Sequence, residues 1–146
     1  MKRTILELQA EIHENAKNKG FWEEDNNLIN FLTNDMNLPE EVNKEINRIQ
    51  EQFVIPRRLM LIVSELGEAL EALRKGKRAK KNEFEFSPQM VKHFETFIKD
   101  TFEDELADTV IRIFDLCAYL GINIEEHIHW KMSYNETRPR LHGKEF

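Results

Sequence analysis

The chain has 146 residues, 40% of them hydrophobic and 33% charged, and a net charge of −6. That is one domain of ordinary size, here residues 1–146, with apolar material enough for a real core. The acidic balance argues against binding a nucleic-acid polymer, which needs a basic face, but leaves room for a small anionic ligand bridged by a metal.

In chain order, Ile5, Leu8, Ile12 and Ala16 recur at helical spacing and predict a helix over 4–18, ended at Gly20. Phe21-Trp22 follows in a turn, and Asp25 is placed to cap a helix over 26–35. Asn37-Leu-Pro39 breaks it, a polar helix follows over 39–53, and Pro56 suits the first turn of a helix running to Lys75. RKGKRAKKNE (74–83) reads as a basic loop around Gly76. Ser87-Pro88 can start a helix over 88–99. An apolar helix over 101–120 stops at Gly121, and Asn123 caps a last helix over 124–136 before Pro139. Helices with short connections predict an all-α, bundle-like domain. No CxxC pair exists and Cys117 is alone, which suits a reducing cytoplasm. The first residues read as an amphipathic helix rather than a leader, and the apolar runs are too short to span a bilayer.

Two acidic motifs stand out. Glu65-Leu-Gly-Glu68 lies in the 56–75 helix and Glu105-Leu-Ala-Asp108 in the 101–120 helix. Residues three apart share a helix face, so each motif projects two carboxylates side by side. An ExxE pair is ordinarily a solvated edge. On the first helix, Ile62, Leu66, Ala69, Leu70 and Leu73 form the apolar stripe, with Glu65 at its border. On the second, Glu105, Asp108, Arg112, Asp115 and Tyr119 form one narrow polar stripe in an otherwise apolar helix. That stripe either meets water or lines a polar pocket, and the matching acidic pair favours a pocket. Four converging carboxylates need a cation, and hard oxygen ligands suit Mg²⁺, with Mn²⁺ as a substitute.

These motifs, followed by Lys131-Met-x-x-Asn135-x-x-Arg138, resemble the MazG-like all-α nucleoside triphosphate pyrophosphohydrolases of phages and bacteria. Asn15-x-x-x-Lys19-Gly20-Phe21-Trp22 and the tail Arg138-Pro139-x-x-His142-Gly143-Lys144 add to the resemblance, which covers most of the chain. The longer separation of the two acidic pairs departs from it and reads as an insertion over 76–100. The resemblance implies a four-helix-bundle-like fold with additional N-terminal and inserted helices. It implies hydrolysis of a nucleoside triphosphate to monophosphate and pyrophosphate. Glu65, Glu68, Glu105 and Asp108 would hold the metal, Glu65 or Glu68 would activate water, and Lys131, Asn135 and Arg138 would meet the phosphates or sugar. It also implies a homodimer or homotetramer.

Other residues carry weaker expectations. Trp22 either stacks on a base or plugs the core, and Arg112 either pairs with a carboxylate or reaches a phosphate. Lys131 would join the catalytic set. His13 is structural or surface, and Glu126-x-x-His129 is half of a di-iron motif. Lys75, Lys77, Arg78, Lys80 and Lys81 form a solvated loop able to steer an anion. The competing readings are a ferritin-like metal-carboxylate protein and a non-catalytic helical interaction module.

Overall fold

The computed structural model describes residues 3–32, 39–84 and 89–139. The expected end of the second helix at 33–35, Ser87-Pro88 and the tail His142-Gly143-Lys144 lie outside them. Among the described residues every regular element is helical, as the periodicity predicts: α1 (Ile5–Asn18), α2 (Glu23–Leu32), α3 (Glu40–Ile49), α4 (Ile55–Arg74), α5 (Met90–Phe97), α6 (Phe102–Tyr119) and α7 (Ile124–Glu136).

Local chemistry sets most boundaries. The Thr4 hydroxyl accepts from the Glu7 amide, and the Glu7 carboxylate accepts from the Thr4 amide, a reciprocal cap that starts α1. Gly20 takes φ +78° to end that segment. The Thr101 hydroxyl accepts from the Asp104 amide and starts α6, and the Asn123 side chain caps α7. Two boundaries differ from expectation. Asp25 does not cap α2, because its carboxylate turns to two arginines of α4. Nor do α3 and α4 separate. A π-helical turn, Gln50–Val54, joins them into one rod, and the Ile55 amide donates to the Gln50 carbonyl. The wider i→i+5 register carries the helix across Pro56, which has no amide to donate.

The long helices α4 and α6 lie antiparallel, with residues 58, 65 and 68 near 115, 112 and 105 respectively. Helix α1 lies along the other flank of α6, where the Gln9 amide donates to the Ile122 carbonyl at 2.8 Å, and α7 lies against α1. The core is Trp22, Val54 and Leu116, with Ala16, Ile62 and Tyr119 packed on it. Trp22 stacks on Tyr119 with centroids 4.0 Å apart, and the Arg58 guanidinium covers the indole at 3.8 Å.

The buried line of α4 keeps only part of the stripe the helical wheel selects: Ala69 is buried and Ile62 packs on the core, but its leucines are exposed. Arg58, Glu65, Ala69 and Ala72 are buried. Leu66, Leu70 and Leu73 stay 47%, 47% and 42% exposed, and Leu59 and Val63 are exposed with them. On α6, Glu105, Thr109, Asp115 and Leu116 are buried while Leu106 and Val110 are exposed. Small and polar residues therefore fill much of the α4–α6 seam beside Leu116, and Leu66, Leu70, Leu73 and Leu106 face outward. Periodicity finds an apolar stripe, but not what covers it. No helix among the described residues is long and apolar enough to cross a membrane.

Candidate metal centre

Antiparallel packing of α4 on α6 brings the two acidic motifs together. Glu65, Glu68 and Glu105 each offer a carboxylate oxygen, all within 4.8 Å of one another. Glu65 and Glu105 are buried and Glu68 is exposed. Asp108 is not in this trio. One turn further along α6, it lines a neighbouring cavity and faces the same field.

The trio is short of positive charge. Burial first, then the charges of Glu68, Glu65 and Asp104, push the Glu105 carboxyl up to about 7. Burial and the Asp104 and Glu65 charges also raise Asp108, against a smaller opposing pull from Arg112. Asp104 is raised chiefly by burial. Among the described residues, the cation bonded to the trio is Arg112, whose Nε donates to Glu65 Oε1 at 2.5 Å with Nη2 equally close. Three carboxylates against one guanidinium form an oxygen-only donor set in want of positive charge. That fits a hard divalent cation such as Mg²⁺. The group contains no histidine, so the ferritin-like reading gains nothing from it.

Two cavities flank the trio along the α4–α6 seam. The larger, about 310 Å³, lies between α1 and α6 and is lined by Ile12, Phe21, Ile111, Asn15, Asp108 and Arg112 among others. The smaller, about 180 Å³, lies beyond Glu68 and Glu105, toward the end of α4.

Trp22 is a core plug. It is 1% exposed, and its Nε1 donates to both oxygens of Asp115 at 2.9 and 3.0 Å. The ring of that pair left free to meet a ligand is Phe21, 61% exposed and lining the larger cavity. The missed signal was Asp115, a buried carboxylate in the α6 polar stripe that fixes the indole and lies 2.6 Å from His13 Nδ1. Arg58 and Asn15 also line the larger cavity. Lys131 and Asn135 are exposed on α7 and Arg138 follows just beyond it. Lys131 and Arg138 lie over the Tyr134 ring at 5.1 and 5.7 Å, and none of the three lines either cavity. Compared with protein-family models, with curated proteins and with solved structures, the chain matches none.

Proposed function

We propose that the chain is a Mg²⁺-dependent nucleoside triphosphate pyrophosphohydrolase, of the MazG-like kind that its motifs resemble. The observation that carries this reading is the meeting of Glu65, Glu68 and Glu105, contributed by both acidic motifs, beside a cavity with apolar walls. The three carboxylates would hold the cation, with Asp108 adjacent. When bound, the cation neutralises phosphate oxygens and lowers the pKa of a ligated water.

The remaining work falls to the chain. Glu65 or Glu68 takes the proton of the attacking water. Arg112 lies between Glu65 and the larger cavity, and its planar fork can meet two phosphate oxygens once it leaves the carboxylate. The nucleoside sits in the larger cavity, where Phe21 and Ile111 supply apolar surface and Asn15 offers both a donor and an acceptor. Lys131, Asn135 and Arg138 enter through the resemblance alone.

The test is product analysis over a panel of nucleoside triphosphates with Mg²⁺ or Mn²⁺. The expected products are monophosphate and pyrophosphate. Release of orthophosphate and a nucleoside diphosphate would reject the assignment. No turnover at all would leave the non-catalytic module as the better reading.

The outward leucines support a second element of this reading, a homodimer or homotetramer. Leu59, Val63, Leu66, Leu70 and Leu73 recur at steps of four and three along α4, all exposed. A long single-sided apolar stripe of this kind suits a twofold copy of itself. Light scattering should give a multiple of 17.5 kDa. Leu66→Glu with Leu70→Glu should shift the mass to that of one chain, and a wild-type monomer at micromolar concentration would overturn the assembly.

A further inference from the structure

We propose that the smaller cleft is the seat of the pyrophosphate leaving group, and that Lys77 is its counter-charge. This rests on the pyrophosphohydrolase reading and adds the direction in which the substrate lies. The α4–α6 seam has a clear order. Arg58 and Asp115 stand at one end, then Arg112 and Asp108, then Glu65, then Glu105 and Glu68, and last Glu71, Lys75, Lys77 and Asp100. From residue 115 to residue 105 the seam runs about 15 Å at ~1.5 Å per helical residue.

The two ends differ in chemistry. The larger cavity has four apolar wall residues, Ile12, Ala16, Phe21 and Ile111, and suits a base. The smaller cleft has only Ala72 as an apolar residue, and every other wall residue is charged, so it offers a base less apolar surface. Its walls carry four carboxylates and two lysines, so it would take a highly charged anion only together with a divalent cation. With the carboxylate trio between the two, the nucleoside lies on one side and the terminal phosphates on the other.

Of the two lysines in the cleft, Lys75 is bound to Glu71 at 3.0 Å. Lys77 has no ion pair or side-chain hydrogen bond among the described residues. Its backbone is nevertheless fixed. The Lys77 amide donates to the Ala72 carbonyl at 2.9 Å, and the Lys77 carbonyl accepts from the Phe102 amide at 3.2 Å. Gly76, at φ +67°, makes the turn that this requires. Next along the loop, Arg78 pairs with Glu103 at 3.2 Å and the Ala79 amide donates to Glu103 at 2.9 Å. The exposed Lys77 ammonium acts on the Asp100 carboxyl across the cleft without forming an ion pair with it, and an anchored backbone with an unpaired ammonium is a ready anion ligand. The opposite wall carries Asp100, which holds φ +57° with its amide donating to Asp104.

In the reaction, the water oxygen bonds to the α-phosphorus and a carboxylate of the trio takes the water proton. The bond from the α-phosphorus to the α–β bridging oxygen breaks, and its electron pair leaves on that oxygen. The charge gained by the pyrophosphate is then met by Lys77.

Calorimetric titration of inorganic pyrophosphate with Mg²⁺ into the whole protein tests this. Lys77→Ala should weaken binding about tenfold, the scale of one charge-assisted hydrogen bond. Lys77→Arg should retain most of it. Lys80→Ala, a charge loss on the same loop outside the cleft, should change nothing, and a nucleoside monophosphate should bind all four proteins alike. Equal pyrophosphate affinity in wild type and Lys77→Ala overturns the cleft, as does an equal loss in Lys80→Ala. If wild type still releases pyrophosphate from nucleotides in that case, the function stands without it. If wild type turns over no nucleotide yet binds pyrophosphate through Lys77, the cleft stands and the function falls.

Discussion

The α4–α6 seam buries carboxylates in two ways. At the aromatic end, Asp25 accepts from Arg57 and from Arg58 Nε at 3.0 Å, and Asp115 accepts from Trp22 beside His13. In the middle, Glu65, Glu68 and Glu105 stand together with Arg112 bonded to Glu65 alone, and burial with the neighbouring carboxylates pushes Glu105 up to about 7. The regions differ in burial, since Glu68 is exposed while Asp25 and Asp115 are not, and they differ in charge balance. A carboxylate matched by its own arginines fixes one geometry and has nothing left to offer a ligand. A carboxylate left short keeps a standing affinity for an added cation.

The difference predicts opposite outcomes for removing a carboxylate at each end. Asp25→Ala strands Arg58, which is 7% exposed and sits on the Trp22 ring. Losing one partner of a buried pair costs about 3–5 kcal/mol, because the remaining charge has no compensation. Arg58 keeps its bond to the Phe21 carbonyl at 2.6 Å, which places the loss toward the lower bound. Denaturant unfolding should show this as a lower midpoint with unchanged slope. A loss below about 1 kcal/mol would mean that the aromatic end is no better settled than the trio, and the contrast would collapse.

The sequence made one side of this contrast more legible than the other. Two pairs at i, i+3 on two apolar helices announce the trio, because the spacing itself puts both carboxylates on one face. The cap at Asn123 is readable for the same reason, being a local bond within three residues. Asp25 was misread as a cap because its partners lie 32 and 33 residues away, and Trp22 meets Asp115 across 93. Local pattern carries no information about such pairs. The outward leucines of α4 were misassigned on similar grounds. Of the stripe Ile62, Leu66, Ala69, Leu70 and Leu73, only Ile62 and Ala69 turn inward, and the small Ala69 and Ala72 let α6 approach at the edge of the leucines. The π turn ahead of Pro56 leaves no residue signature at all in Gln50–Val54.

The smaller expected effect sharpens the unsettled end. Unfolded, Glu105 releases its proton near 4.5, and folded it does so near 7. Below about pH 4.5 both states hold the proton and this group gives no pH dependence. Between 4.5 and 7 only the folded state binds it, so stability falls as pH rises through that window. Above 7 both states are ionised and the cost is complete. A full conversion at ~1.4 kcal/mol per unit overstates it, because Glu68 is exposed and water screens the trio. A loss on the order of 1 kcal/mol remains, about 3 °C in Tm for a chain of this size. Glu105→Gln keeps the shape without the charge. In metal-free protein the wild type should therefore melt lower than the variant at pH 8, and the two should converge near pH 5. Reading the difference between them cancels the titrating groups that do not interact with Glu105, leaving Glu65, Glu68 and Asp104 coupled to it. Millimolar Mg²⁺ at pH 8 should raise wild type and leave the variant nearly unmoved, since a ligand stabilises only the state it binds. A parallel pair of Tm curves across pH 5–8, with equal responses to Mg²⁺, would show that the trio is as well compensated as Asp25, with no standing demand for a cation.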